Sequence, residues 1–349
     1  DDPVSKTYYT YASDEVLSEV PNYLVEQFRY VVDKGAAVIS IAAPTPGLLK
    51  DINPKKMQLA NKAFHEHLEF YQTHLMANGS QWCVISYPTK VWAKKIFGDE
   101  ESFEKLLDAI LTVSRVTEDN NPVVEWKRHI DVLARHNQIL NEYNFKKLHF
   151  KNSLGTDLEV GLVEGHIWCG GGEESQKGVF FCPNIPTEET FTMPHRAGVN
   201  GKVVATKPLN YNGKLIEDFY LVFKDGKVVD YDAKTEKEAL KSLLELDEGS
   251  SRLGEVALIS YDSPISNTNI LFYNTLFDEN ASCHLALGNA YATNIKDGTN
   301  TSEEELISKG YNKSMAHVDF MFGSSDMEIY GITQDNQKVT IFKNGNFVF

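Results

Sequence analysis

The residues best suited to chemistry lie in the last half of the chain, each in a distinctive local setting. They are Glu188 and Glu189 in NIPTEETFTMP, Glu255 in RLGEVALIS, Glu279 and His284 in LFDENASCHLALG, and His317 and Asp319 in AHVDFMFG. Two imidazoles and a surplus of carboxylates form the donor set that two neighbouring divalent cations need. Imidazole suits zinc or cobalt, and carboxylates bridge a metal pair and cancel its charge. If these residues converge in space, the chain is a metal-dependent hydrolase.

Each setting narrows what its residue can do. His317 and Asp319 are two apart, which on a strand puts both on one face with Val318 turned away. There they would ligate adjacent metals, or the carboxylate would orient the imidazole. Glu255 opens an apolar run just after Gly254, and a carboxylate at the mouth of a buried strand is costly unless paired or ligated. Glu188 and Glu189 point opposite ways on an extended chain, so that one can bind metal while the other takes the proton of an attacking water. The Ala-rich stretch DENASCHLALGNAY reads as a helix capped by Asp278 or Asn280. Its spacing places His284, Gly288 and Tyr291 on one face, with Glu279 just ahead and in reach of the same cavity. The Tyr291 hydroxyl would then donate to the oxyanion of a tetrahedral intermediate, or its ring simply packs.

The elements that must position these groups fall into two textures. Over residues 1–150, DEVLSEVPNYLVEQFRYVVDKG has helical periodicity and ends at Gly35. The run AAVISIAAP suits a buried parallel strand, PKKMQLANKAFHEHLEFYQTHLMANG a long amphipathic helix, QWCVISYPT a second strand and DEESFEKLLDAILTVSRV another helix. This alternation predicts an α/β domain with a parallel sheet. From 151 to 349 short strands and turns take over, with YNGK and KDGK as hairpin signals, and predict a mixed, largely antiparallel α+β catalytic domain. His65, His67, His74, His129 and His136 read as ordinary helical histidines, and Gly170–Gly172 as a turn, because no Lys–Ser/Thr follows to make a phosphate loop.

Composition bounds the class. The chain has 349 residues, 42% hydrophobic and 24% charged, with a formal net charge of −15, so it is globular and long enough for two cores. So acidic a surface argues against nucleic acid and anionic membranes as partners. Four scattered cysteines, Cys83, Cys169, Cys182 and Cys283, make no disulfide framework, and the expected setting is a reducing, cytoplasmic one.

The motifs NIPTEETFTMPHRAGVNGKV, RLGEVALIS, LFYNTLFDENASCHLALGNAY and HVDFMFGSSDMEIYG, in that order, resemble the M29 family of thermophilic-type metalloaminopeptidases, the group of AmpS, PepS and AmpT. The resemblance covers essentially the whole chain, more loosely in its first half, through VDKGAAVISIAAPTPGLL and PTKVWAKKIF. It implies a dinuclear site with Glu189, Glu255, His284, His317 and Asp319 as ligands, Glu279 as a further candidate, and Tyr291 as the active-site tyrosine. Glu188 is left as a base or supporting group. It also implies a homodimer, and a further α/β segment ahead of the point where this sequence begins. The resulting expectation is an aminopeptidase acting on peptides with a free N-terminus. Two zinc, cobalt or manganese ions would polarise the carbonyl, Glu255 or Glu188 would take the proton of water, and Tyr291 would steady the oxyanion. Alternatives are a dinuclear hydrolase of another amide and a catalytically silent metal-binding scaffold.

Overall fold

The computed structural model describes residues 3–349. The chain divides into two compact units, one formed by Asp1–Ser114 with Gly172–Ile185, the other by Arg115–Gly171 with Pro186–Phe349. This division differs from a single cut at 150. The strand Lys147–Lys151 lies inside the large sheet of the second unit, between Asp157–Leu162 and Glu328–Ile332. The helix Pro122–Tyr143 just before it belongs to the same unit. In the other direction, residues 172–185 return to the first unit, where the Ile185 amide donates to the Val84 carbonyl at 3.0 Å.

The first unit keeps the predicted strand–helix alternation in reduced form. Its sheet has two parallel strands, Val38–Ala42 and Trp82–Ser86, in register Val38 to Trp82. The expected burial of the first strand does not hold, since Ile39 is 68% and Ile41 62% exposed. The periodic stretch before it is two helices rather than one, Asp14–Leu17 and Asn22–Lys34. Pro21 divides them because it has no amide to donate and disfavours helical geometry in the residue ahead of it. Gly35 stops the second helix in left-handed geometry, as its position suggests. Pro54–Met76 starts at an Asn–Pro pair, the Asn53 side chain accepting from the Lys55 amide.

The second unit is antiparallel, as its hairpin signals indicate. A nine-stranded sheet runs Lys227–Thr235, Lys214–Lys224, Pro194–Val204, Asp157–Leu162, Lys147–Lys151, Glu328–Ile332, Lys338–Lys343, Asn346–Phe347, with Leu209–Tyr211 paired on Lys214–Lys224. The turns of both predicted hairpins, at 212–213 and 225–226, join these strands. A four-stranded sheet runs His317–Met321, His284–Gly288, Leu253–Leu258, Thr190–Thr192. The two sheets share one core, which includes Phe150, Val160, Leu221 and Ile329 from the larger and Val256, Leu285, Leu287 and Phe320 from the smaller. Among the described residues no helix is long and apolar enough to cross a membrane.

Leu285 is fully buried at the centre of the small sheet. Replacing it with Ala leaves a cavity beneath the strands, and the expected loss in unfolding free energy is about 2–5 kcal/mol. Urea denaturation of the variant beside the parent checks this.

Candidate metal centre

Strand register assembles the site. In the small sheet Ala286 stands opposite Glu255 on one side and Asp319 on the other. Residues directly opposite share a face, and so do residues two apart on one strand. Glu255, His284, Ala286, Gly288, His317 and Asp319 therefore all project from one side of the sheet. The alternate residues Val256, Leu285, Leu287 and Phe320 project from the other, into the core. The middle strand contributes only Ala286 and Gly288 between the ligand-type groups, which leaves room above it. Gly288 is required at its position: φ is +108°, and a Cβ there would lie 2.1 Å from the Ala316 carbonyl oxygen.

This corrects the helical reading of DENASCHLALGNAY. His284–Gly288 is a strand hydrogen-bonded on both sides. The sequence His-Leu-Ala-Leu-Gly alternates with period two, and because its two partners complete both ladders, pairing overrides the helix propensity of its alanine and leucines. Neither Asp278 nor Asn280 caps a helix there. Asp278 accepts the amides of Phe272 and Asn274 at 2.8 and 3.0 Å, and Asn280 Oδ1 accepts the Glu188 amide at 2.8 Å. Tyr291 reaches the site from the loop after the strand, its ring centroid 4.7 Å from that of His317. Burial, with the charges of Glu255 and Asp319 added, raises its hydroxyl pKa, so it stays a donor.

The side chains converge closely. His284 Nε2 lies 3.2 Å from Glu255 Oε1, 3.4 Å from Glu189 Oε2 and 3.9 Å from Asp319 Oδ1. His317 Nε2 lies 3.5 Å from Asp319 Oδ1 and 3.9 Å from Glu255 Oε2. The two oxygens of Glu255 thus face different imidazoles. Ligand atoms fall into two groups, Glu189–Glu255–His284 and Glu255–His317–Asp319, each within 4.8 Å and joined through Glu255. Glu279 lies outside both. Its carbonyl accepts from His284 Nδ1 at 2.8 Å, while Asn289 contributes the matching carbonyl to His317 Nδ1 at 2.7 Å. Each imidazole donates through Nδ1 to backbone and turns Nε2 to the carboxylates, the arrangement that suits a metal ligand.

Electrostatics makes the same point. Burial, opposed by the His284 charge and reinforced by Glu255 and Asp319, pushes the Glu189 carboxyl up to about 8. Burial and the neighbouring carboxylates also raise Glu279 well above the usual range. For the histidines burial works against charge, but the surrounding carboxylates outweigh it and leave His284 at about 9 and His317 at about 10. Asp319 is held below its ordinary value because the charges of His317 and His284 overcome burial. Yet its buried Oδ1 has no hydrogen bond of ordinary length, the nearest imidazole nitrogen, His317 Nε2, lying 3.5 Å away. A buried carboxylate oxygen so weakly served by donors, among further carboxylates, is a poor arrangement for protons alone and a good one for cations. All donors are oxygen or imidazole nitrogen, which fits zinc, cobalt or manganese.

Glu188 turns the opposite way from Glu189, as an extended doublet must. Its oxygens accept from Arg115 Nη1 and Nη2 at 2.5 and 2.8 Å, in a buried two-point pair. His129, expected to be an ordinary helical histidine, belongs to this network. Its Nδ1 accepts from Arg115 at 3.1 Å and its Nε2 donates to the Thr187 carbonyl at 2.7 Å. Burial, only partly offset by Glu188, lowers its pKa and keeps that tautomer neutral. Further along the same helix, Asn137 donates to the Gly170 carbonyl at 3.0 Å and accepts from Thr190. The glycine run is more than a turn: a Cβ on Gly170 would stand 2.2 Å from the Glu189 carbonyl oxygen. No spacing signal marks Arg115 or Asn289 in the sequence, and Asn280 stands out there only as a cap candidate. What does point to a partner like Arg115 is the acidic doublet itself, since the member facing away from the cluster needs a cation when buried.

Removing Arg115 leaves the Glu188 charge buried and unpaired. Arg115→Ala is expected to cost about 3–5 kcal/mol, and Arg115→Met combined with Glu188→Gln to recover a large part of it. Denaturant melts of the single and double variants measure the difference.

The chain matches the family model described as thermophilic metalloprotease (M29) over residues 1–347. It is 49% identical to Aminopeptidase 2 of Geobacillus stearothermophilus and 45% identical to Aminopeptidase AmpS of Bacillus subtilis (strain 168), each over 100% of this chain and 85% of the relative. Its fold superposes on wild-type AmpT from Thermus thermophilus with a TM-score of 0.91 at 35% identity, covering 99% of this chain and 85% of that one. A match of that length places the chain in the M29 family of metalloproteases.

Proposed function

We propose that the protein is a two-metal aminopeptidase that removes N-terminal residues from peptides. The observation that carries this reading is the pair of ligand groups sharing Glu255, on one face of the small sheet. The relatives' names, aminopeptidases at 49% and 45% identity, support the reaction. In this reading Glu189, Glu255 and His284 hold one ion, and Glu255, His317 and Asp319 the other. Divalent ions so held supply Lewis acidity, which polarises a carbonyl and acidifies water at neutral pH.

The chain's own groups do the rest. Glu255 stands between both imidazoles and takes the proton of the attacking water, then passes it to the leaving amine. Glu188 keeps a supporting role, because both of its oxygens already accept from Arg115. It fixes the segment that carries Glu189. Tyr291, protonated and beside His317, donates to the oxyanion as the carbonyl becomes tetrahedral. A homodimeric assembly belongs to the same reading.

Leucine p-nitroanilide is expected to be cleaved, its N-acetylated form not; cleavage of both would replace the reading with a general amide hydrolase. A chelator should abolish activity, and zinc, cobalt or manganese restore it; activity that survives exhaustive chelation would overturn the reading. Glu255→Gln is expected to lower kcat by about 10²–10⁴ while the denaturation midpoint stays near that of the parent.

Metal loading should depend on pH. With His284 at about 9 and His317 at about 10, both imidazoles are protonated at pH 7, and ligation must displace those protons. Apparent zinc affinity is therefore expected to rise with pH until it passes these values. Calorimetry in buffers of different ionisation enthalpy should register net proton release at pH 7.

A further inference from the structure

All four cysteines are free thiols, and two of them, Cys83 and Cys182, come together within the first unit although they are far apart in the chain. We propose that they form a modification site, a disulfide closed by peroxide that locks the returning segment 172–185 onto the strand Trp82–Ser86. No role assigned to the metal centre uses either residue.

Backbone pairing brings the two residues side by side. The Val84 amide donates to the Pro183 carbonyl at 2.7 Å, and the Val84 carbonyl accepts from the Ile185 amide at 3.0 Å. This is a parallel bridge with Val84 level with Asn184, so Cys83 is one residue out of step with Cys182. Neighbouring chains lie about 4.8 Å apart and rise about 3.3 Å per residue, which sets the two Cα atoms roughly 6 Å apart. A disulfide spans that distance.

Side-chain direction agrees with the backbone. The rings of Trp82 and Phe181 meet, with centroids 6.2 Å apart, so these two residues project to one side. Each is followed by a cysteine, and alternation turns both cysteines to the other side. Pro183, in a bend, restarts the alternation before Asn184. The sulfurs are also within electrostatic reach of each other. Burial raises both thiol pKa values, and the Cys182 charge raises that of Cys83 further. Cys83 stands opposite the exposed Ile39 on the neighbouring strand, so a small oxidant reaches this face from solvent.

The chemistry balances with hydrogen peroxide as the oxidant. One sulfur attacks a peroxide oxygen and the O–O bond breaks, leaving a sulfenic acid and one water. The second sulfur displaces the sulfenic oxygen as another water, and the S–S bond forms. The two thiols lose two electrons to the peroxide, and both thiol protons leave in the waters. The returning segment is already positioned for this closure. At its start the Gln176 amide donates to the Asn78 carbonyl at 2.8 Å, and the Gln176 side chain to the Ala77 carbonyl at 2.9 Å. Gln81 donates to Ser175 Oγ at 3.0 Å. At its far end the bonds around Val84 hold the reduced protein, and the covalent link opposes the local opening that breaks them.

The test exposes the whole chain to hydrogen peroxide, alkylates the remaining thiols and maps the disulfides by mass spectrometry after proteolysis. A peptide linking Cys83 to Cys182 is expected, and dithiothreitol should reverse it. A link from either residue to Cys169 or Cys283, a link between two chains, or oxidation to sulfinic acid with no link would overturn the proposal. Amide hydrogen exchange at Val84 and Ile185 should slow by roughly tenfold or more once the bond closes; unchanged exchange would overturn the lock. Cys83→Ser and Cys182→Ser should each abolish the effect of peroxide on exchange, and slowing that persists in either variant would count against the pair. The linked peptide is read in the parent chain, so the test stands even where a variant fails to fold.

Discussion

The site depends on the register of three strands. Because Ala286 stands between Glu255 and Asp319, four ligand-type side chains are directed from one face and an apolar set from the other. A slip of one residue would exchange the two faces, burying charge in the core and exposing Leu285 and Leu287. The core side sets this register. Each fully buried Leu, Val or Phe contributes about 1.5–3 kcal/mol, and Val256, Leu285, Leu287 and Phe320 are all fully or almost fully buried. The ligand side opposes folding, since each unpaired carboxylate removed from water costs several kcal/mol. Hydrophobic packing therefore holds in place a cluster whose carboxylates cations are suited to neutralise.

The groups not on these three strands are held by a ring of hydrogen bonds. Glu189 enters from a segment braced on one side by Arg115 and His129 through Glu188 and Thr187. On the other it is braced by Asn280, and beneath it by the close approach of Gly170. Ahead of His317, the Asp247 carboxylate accepts from the Ser314 hydroxyl at 2.8 Å and the Met315 amide at 2.7 Å, which sets where that strand begins. Asn289, between the second strand and Tyr291, supplies the carbonyl that orients His317. Loops carry much of this bracing, but few of their groups are left to choose a conformation, and a site that must hold charges close together needs that rigidity.

The division of labour within the acidic doublet follows from the same constraint. Adjacent residues on an extended chain cannot both face the cluster, so Glu188 faces away and must find a buried cation. Arg115 satisfies both of its oxygens at once, and His129 adds a neutral bridge. One peptide unit thereby couples a pair outside the cluster to a ligand-type carboxylate within it.

The sequence by itself determined the chemical inventory: which residues bear ligand atoms, the surplus of carboxylate over imidazole, the two-apart His317 and Asp319 on one strand face, and the two hairpin turns. These are local properties, set by side-chain type or by a period of two. It misjudged His284–Gly288, because a strand buried on both faces carries a single polar residue, His284, to mark its alternation, and Ala and Leu favour helix until neighbours complete the ladder. Nor did it single out Arg115 and Asn289, or give Asn280 a role beyond a helix cap; all three act through contacts with other segments of the chain. Tertiary structure alone decided that Glu255 stands between two imidazoles and that the Glu279 and Asn289 carbonyls meet the rings of His284 and His317. Those facts depend on strand register and on which backbone carbonyl meets which ring, and neither exists until distant segments pair.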